Sequence, residues 1–169
     1  MIRRMGWAIL ALALSCSALA QKVTVDWDHN VHNFTSFHTY QWVKPARQSA
    51  NPLMDQRIVE AVDAQLTAKG MRQVDSHPDV LVTYRTGVQR QQSATVMGTG
   101  PRRFGGMGTI VPNVSNAGTL VVDISDGTSR QLLWRGSAAD TLSDKPEKNS
   151  QKIKKAVTNM FKKYPPTSK

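Results

Sequence analysis

The chain predicts an α+β fold, a mostly antiparallel sheet of about five strands with two helices packed on one face. Three observations carry this. Residues 79–88, 118–125 and 131–139 alternate apolar and polar with a period of two, as half-buried strands do. Residues 52–69 and 146–164 instead repeat apolar side chains at helical spacing. Between the last two strands, Asp126-Gly127-Thr128-Ser129 is a short polar link suited to a hairpin.

Val23-Thr24-Val25-Asp26-Trp27 is β-branched and alternating, a strand with Val23, Val25 and Trp27 on one face. After a turn-rich Asp28 to Asn33, Phe37 to Val43 forms a second strand, ended by Pro45, and these two strands are expected to pair or lie close together. Asn51-Pro52 starts a helix, because Asn51 can cap it and proline at the first position lacks only an amide that would be unpaired anyway. Ile58, Val62 and Leu66, joined by Leu53, Met54 and Ala61, form its apolar stripe, and Gly70 closes it.

The strand from Asp79 places Val80, Val82, Tyr84, Thr86 and Val88 on one face and Leu81 and Thr83 on the other. Gly118 to Ser125 and Gln131 to Ala139 are expected as antiparallel neighbours. Between the two regions, residues 93–117 hold Gly98, Gly100, Gly105, Gly106 and Gly108 with Pro101, Arg102, Arg103 and Pro112. That composition predicts a flexible Gly/Arg-rich loop. The last helix runs from about Pro146 to Tyr164, stopped by Pro165-Pro166. Ile153, Ala156, Val157, Met160, Phe161 and Tyr164 share one arc, and lysines occupy the rest.

Ahead of this domain, residues 1–20 have the layout of an export signal: Arg3 and Arg4, an apolar run from Trp7 to Leu14, and a small-residue exit at Ala18-Leu19-Ala20. The run is far short of the ~20 residues that span a bilayer core, so no transmembrane span is expected. Cys16, the one cysteine of the chain, lies inside this segment. Cleavage after Ala20 leaves residues 21–169 as a single domain without a thiol. Retention of Cys16 as a lipidated first residue would instead make an outer-membrane lipoprotein, although Ala13-Leu14-Ser15 fits a lipidation signal poorly.

Twenty-two basic residues stand against 12 acidic ones, a net charge of +10. The balance is +8 without Arg3 and Arg4. The excess sits in residues 80–122 and 145–169, whereas 21–79 and 123–144 lean acidic. In a cytoplasmic protein such segments would suggest nucleic acid. In an exported one the available anions are lipid head groups and envelope polymers, so no nucleic-acid partner is expected. Arg102, Arg103, Lys152, Lys155, Lys162 and Lys163 are the candidate contacts for an envelope protein, anionic polymer or lipid.

Catalytic signatures are weak. His29 and His32, three apart and preceded by Asp26 and Asp28, form a candidate metal cluster, but zinc sites draw further ligands that the sequence does not supply. No Gly-x-Ser-x-Gly elbow occurs, and the glycine-rich stretch lacks the Gly-Lys-Ser/Thr of a phosphate loop. Trp27, Phe34, Phe37, Tyr40 and Trp42 could line a sugar or peptide groove, but at strand spacing they read as core. No cofactor is expected.

Asp26 with Phe34, Phe37, Thr39, Tyr40 and Trp42, then Asn51-Pro52-Leu53, Gly70, Pro78-Asp79-Val80-Leu81-Val82, Gly118-Thr119-Leu120 and Leu133-Trp134-Arg135-Gly136-Ser137 together form a longer pattern. It resembles the bacterial envelope family called domain of unknown function 4136, from about residue 23 to Pro166. The resemblance implies an exported bacterial protein, often a lipoprotein, with an α+β fold and no established reaction. It carries over no catalytic residues. The chain departs from it in the poor lipidation signal and a longer Gly/Arg loop. The expected function is that of a non-enzymatic accessory protein of the Gram-negative periplasm or envelope, with a periplasmic hydrolase using carboxylates near Asp26 and Asp28 as the alternative.

Overall fold

The structure, a computed structural model, describes residues 21–31, 33–43, 51–97 and 109–166. The export segment with Cys16, and also His32, Arg102 and Arg103, lie outside the described residues.

Six strands form one sheet: β1 (Lys22–Trp27), β2 (Thr39–Trp42), β3 (Arg72–Gln73), β4 (Val80–Met97), β5 (Thr109–Asp126) and β6 (Leu132–Thr141), in the order β1-β6-β5-β4-β2-β3. Helices α1 (Pro52–Ala68) and α2 (Pro146–Phe161) complete the α+β architecture. The expected five-stranded, mostly antiparallel sheet is thus corrected to six strands and a mixed sheet. β2 runs parallel to both β3 and β4, because α1 intervenes and returns the chain in the same direction. β3 has two exposed residues, too few to show a period.

The expected pairing of the first two strands is also corrected. β1 pairs with β6, Val23 opposite Ala138 and Val25 opposite Gly136, while β2 lies across the sheet beside β4. The hairpin expectation holds, with β5 and β6 antiparallel and a register shift between Ile124 and Ser125. Gly127 sits against the backbone of Pro78, where an added Cβ would meet the carbonyl oxygen at 2.0 Å. A side chain there would push the turn off β4.

Strand alternation builds one core. Val80 and Val82 of β4, Leu120, Val122 and Ile124 of β5, and Trp134 and Ala138 of β6 are buried together with Ile58, Val62 and Leu66 of α1 and Val157, Met160 and Phe161 of α2. Burying such side chains removes ~1.5–3 kcal/mol of apolar exposure each. Trp134 is the centre of an aromatic cluster, its ring 5.1 Å from that of Phe161 and 5.5 Å from that of Tyr164. The intervening strand positions carry Arg85, Asp123 and Arg135, and both arginines pair with Asp123 on the opposite face. An antiparallel sheet can leave one face polar in this way.

The expected loop over 93–117 is largely strand. β4 continues to Met97 and β5 begins at Thr109, in unbroken register from Val80 opposite Asp126 to Met97 opposite Thr109. Residues 98–108 lie outside the described residues. The backbone ladder between the two arms carries the pairing where composition by itself suggests none.

Candidate functional site

The two helices start near each other over the long β4–β5 pair. Asn51 caps α1, its Oδ1 accepting from the Met54 amide at 3.1 Å, and Pro52 follows. α2 opens at Pro146, with Asn149 clamping the preceding link by accepting from Ser143 N at 2.8 Å and donating to Ser143 O at 2.7 Å. Helix spacing then points Met54 and Ile58 of α1 and Ile153 and Ala156 of α2 toward the sheet. There Tyr84 and Val88 of β4, Leu120 of β5 and Leu142 enclose a mostly apolar groove of about 940 Å³. At Gly118 the Leu142 side chain lies directly against the backbone, where an added Cβ would meet its Cδ2 at 2.5 Å.

The polar groups of the groove are paired at its ends. Lys152 Nζ lies 3.1 Å from Asp140 Oδ1 and also donates to the Thr141 carbonyl. Gln21 Nε2 donates to Asp140 Oδ2 at 3.3 Å and to Lys152 O at 3.1 Å, and its Oε1 is buried with no partner among the described residues. At the α1 end the Tyr84 hydroxyl bonds Asp55, and burial foremost, then Asp55, pushes its pKa up. Tyr84 also sets its ring edge to face with Trp42 at 6.0 Å. These contacts hold a rim around an apolar interior, a setting for an amphiphilic ligand rather than for proton transfer.

Lys152 belongs both to the groove and to a row of cations along α2. Lys148, Lys152, Lys155 and Lys162 recur at helical spacing, and all but Lys152 are exposed. Lys163 is exposed as well, and Lys162 donates to Asn159 Oδ1 at 3.1 Å. Of the predicted contacts, Lys152 and Lys155 thus lie on α2, and Lys162 and Lys163 lie in the turn that closes it.

The Asp26–His29 turn is put to structural use. Asp28 Oδ1 accepts from both nitrogens of Asn30, and its Oδ2 accepts from Gln131 Nε2 at 3.0 Å. Asp26 accepts from the Trp27 amide, and His29 is exposed with its ring 5.0 Å from that of Trp27. Among the described residues no group of three or more His, Cys, Asp or Glu stands ready for a metal ion. Neither Asp26 nor Asp28 lines the groove. Of the aromatic set, Phe34 and Tyr40 are buried and Trp27, Phe37 and Trp42 pack against the core, so they are structural.

Sequence reasoning missed the groove. Its cause is a mismatch of lengths that the predicted loop over 93–117 concealed, two 18-residue strands beside partners of 4 and 10 residues. Long strands beside short ones leave sheet face that two helices of 17 and 16 residues do not cover.

A family model described as "Domain of unknown function (DUF4136)" matches residues 23–166. Among solved structures, the chain is similar to a PDZ domain protein from Parabacteroides distasonis, with a TM-score of 0.59 and 19% identity, over 87% of this chain and 35% of that one. The chain therefore spans about a third of that protein's length, and the likeness is one of fold. Two PelC dodecamer structures from Paraburkholderia phytofirmans align over 83% of this chain and 94% of theirs, at 8% identity and TM-scores of 0.47 and 0.49. No curated protein matches. Among the described residues, no helix is long and apolar enough to cross a membrane.

Proposed function

The chain belongs to this family of domains of unknown function (DUF4136), and from that premise we propose that it is an exported envelope protein of a Gram-negative bacterium that acts by binding rather than by catalysis. Its partner is an anionic amphiphilic surface or segment of the envelope, a lipid or a protein that combines apolar groups with negative charge. The observation that carries this reading is the adjacency of the apolar groove to the exposed Lys148 and Lys155 of α2, which flank the Asp140-paired Lys152 of the groove wall. A ligand seated there meets apolar side chains and positive charge together, the combination that holds amphiphiles at an anionic interface. The leader-like segment Arg3 to Ala20 supports the location.

The test is cosedimentation of the full chain with phosphatidylglycerol and phosphatidylcholine vesicles at low and high salt. Preferential binding to phosphatidylglycerol, weakened by salt and by Lys148→Glu with Lys155→Glu, is the expected result. Equal affinity for both vesicles, or none for either, would overturn the lipid form. Recovery of the native protein from the cytosol would overturn the location.

A further inference from the structure

We propose that the outer edge of β4, beyond the reach of β2, pairs antiparallel with the same edge of a second copy of this chain and joins the two sheets. The pairing does not depend on what fills the groove.

The register identifies which backbone groups face outward. Val43 N donates to the Val82 carbonyl, so the amides and carbonyls of even-numbered β4 residues point toward the β2 side. β2 covers only Val80 to Val82. Among the described residues no strand pairs with the outward groups of Val88, Arg90, Gln92 and Ala94 on that edge. On the opposite side, Asn116 O accepts from Leu142 N, so even-numbered β5 residues point outward there and Pro112 falls on that edge. A proline has no amide to offer, which blunts the β5 edge against strand addition. β4 has no such block between 84 and 97.

An isolated two-stranded ribbon is at best marginally stable in water. This one extends about 30 Å past the last pairing with β2 and β6, with Val88 and Val114 left 65% and 54% exposed. Both lie on the helix-side face, together with Ala94 and Pro112. The edge also suits itself. Arg90 is the sole ionisable residue of 86–97, and a two-fold axis at Gln92 sets each Arg90 opposite Ala94 of the second copy, so no like charges meet. A register centred on Arg90 would bring two guanidinium groups together.

The test compares three variants of the full chain, the cysteine variants carrying Cys16→Ser as well so that each holds a single thiol. Light scattering of the wild type is expected to give twice the single-chain mass. Gln92→Pro, which removes an outward amide and leaves the ladder to β5 intact, is expected to give the single-chain mass with unchanged circular dichroism. At the axis, Gln92 of the two copies would lie about 5.5 Å apart at Cα, within disulfide range. Gln92→Cys should therefore cross-link as a dimer, whereas Gln89→Cys, about 20 Å from its counterpart, should not. Should Gln92→Pro fail to fold, the cysteine pair decides, since both keep the backbone intact. A wild-type chain at single mass, or equal cross-linking of the two cysteine variants, overturns the proposal, as does cross-linking of Gln92→Cys to a different protein.

Discussion

Arg135 holds Asp123 with both arms of its guanidinium fork, Nε 2.6 Å from Oδ1 and Nη2 2.9 Å from Oδ2, while Arg85 reaches Oδ2 from the neighbouring strand at 2.9 Å. The carboxylate side chain is 11% exposed and the arginines are 42% and 64% exposed. The pairing ties β4, β5 and β6 across the polar face of the sheet. Asp123→Ala is expected to lower the unfolding free energy by about 1–2 kcal/mol in urea titrations. Arg135→Lys should lose most of the same amount, since a lysine cannot make the bidentate contact.

Asp63 Oδ1 accepts from Tyr40 Oη and from Trp42 Nε1, each at 2.8 Å. α1 is thereby fastened to β2. Asp63→Ala orphans two polar groups, one of them on a side chain 2% exposed, and is expected to cost about 2–3 kcal/mol by chemical denaturation.

All three tyrosines of the chain resist ionisation. Burial foremost pushes the hydroxyl of Tyr164 from 10.0 up to about 12, and raises those of Tyr40 and Tyr84, where Asp63 and Asp55 add to the effect. Above pH 10 the unfolded chain loses these protons first, so it binds fewer than the folded one and stability falls as pH rises. At the acid end, Asp79 is held below its usual 3.8 by the His38 amide foremost, and Asp126 by the Ser129 amide foremost. Their contribution is present above that value and is lost as pH falls below it. Melting temperature against pH should be flat between these limits and fall at both ends, with tyrosinate absorbance appearing together with unfolding on the alkaline side.

Gly136 is fully enclosed. A Cβ there would meet the Trp134 ring at 2.6 Å and Met160 Sδ at 2.9 Å, both on side chains with no exposure. Gly136→Ala is expected to destabilise by about 1–3 kcal/mol through overpacking, read from the denaturation midpoint.

Stability and binding should separate between the core and the groove. Leu66→Ala empties a site with no exposure and should cost about 2–5 kcal/mol. Val88→Asp, at a position 65% exposed, should change stability by less than about 0.5 kcal/mol. It should nonetheless weaken binding to phosphatidylglycerol vesicles, because it places a like charge on the groove wall.

The core was legible because burial imposes a period. Val80 and Val82, Ile58 to Leu66, and Val157 to Phe161 announce the face they cover. Asn51-Pro52 announces the start of α1, and Gly70, at φ 82°, its end. Partner choice left no such mark. Nothing local to Val23 or Tyr40 says that β1 joins β6 and β2 joins β4, because pairing over long separations is set by the whole sheet. Composition misled at 93–117, where glycines at 98–108 obscured the alternation on either side. The lysines of α2 were visible as a charged face, but the groove beside Lys152 required knowing where both helices begin.

β1 carries one more implication. Thr24 bonds Ser137 across 113 positions of the chain, so β1 has no neighbour in the sheet until β6, the last of the described strands, has emerged. A sheet with this connectivity closes late, after synthesis of the domain is nearly done, and β1 waits unpaired meanwhile. Chaperones and proteases have that interval in which to seize it.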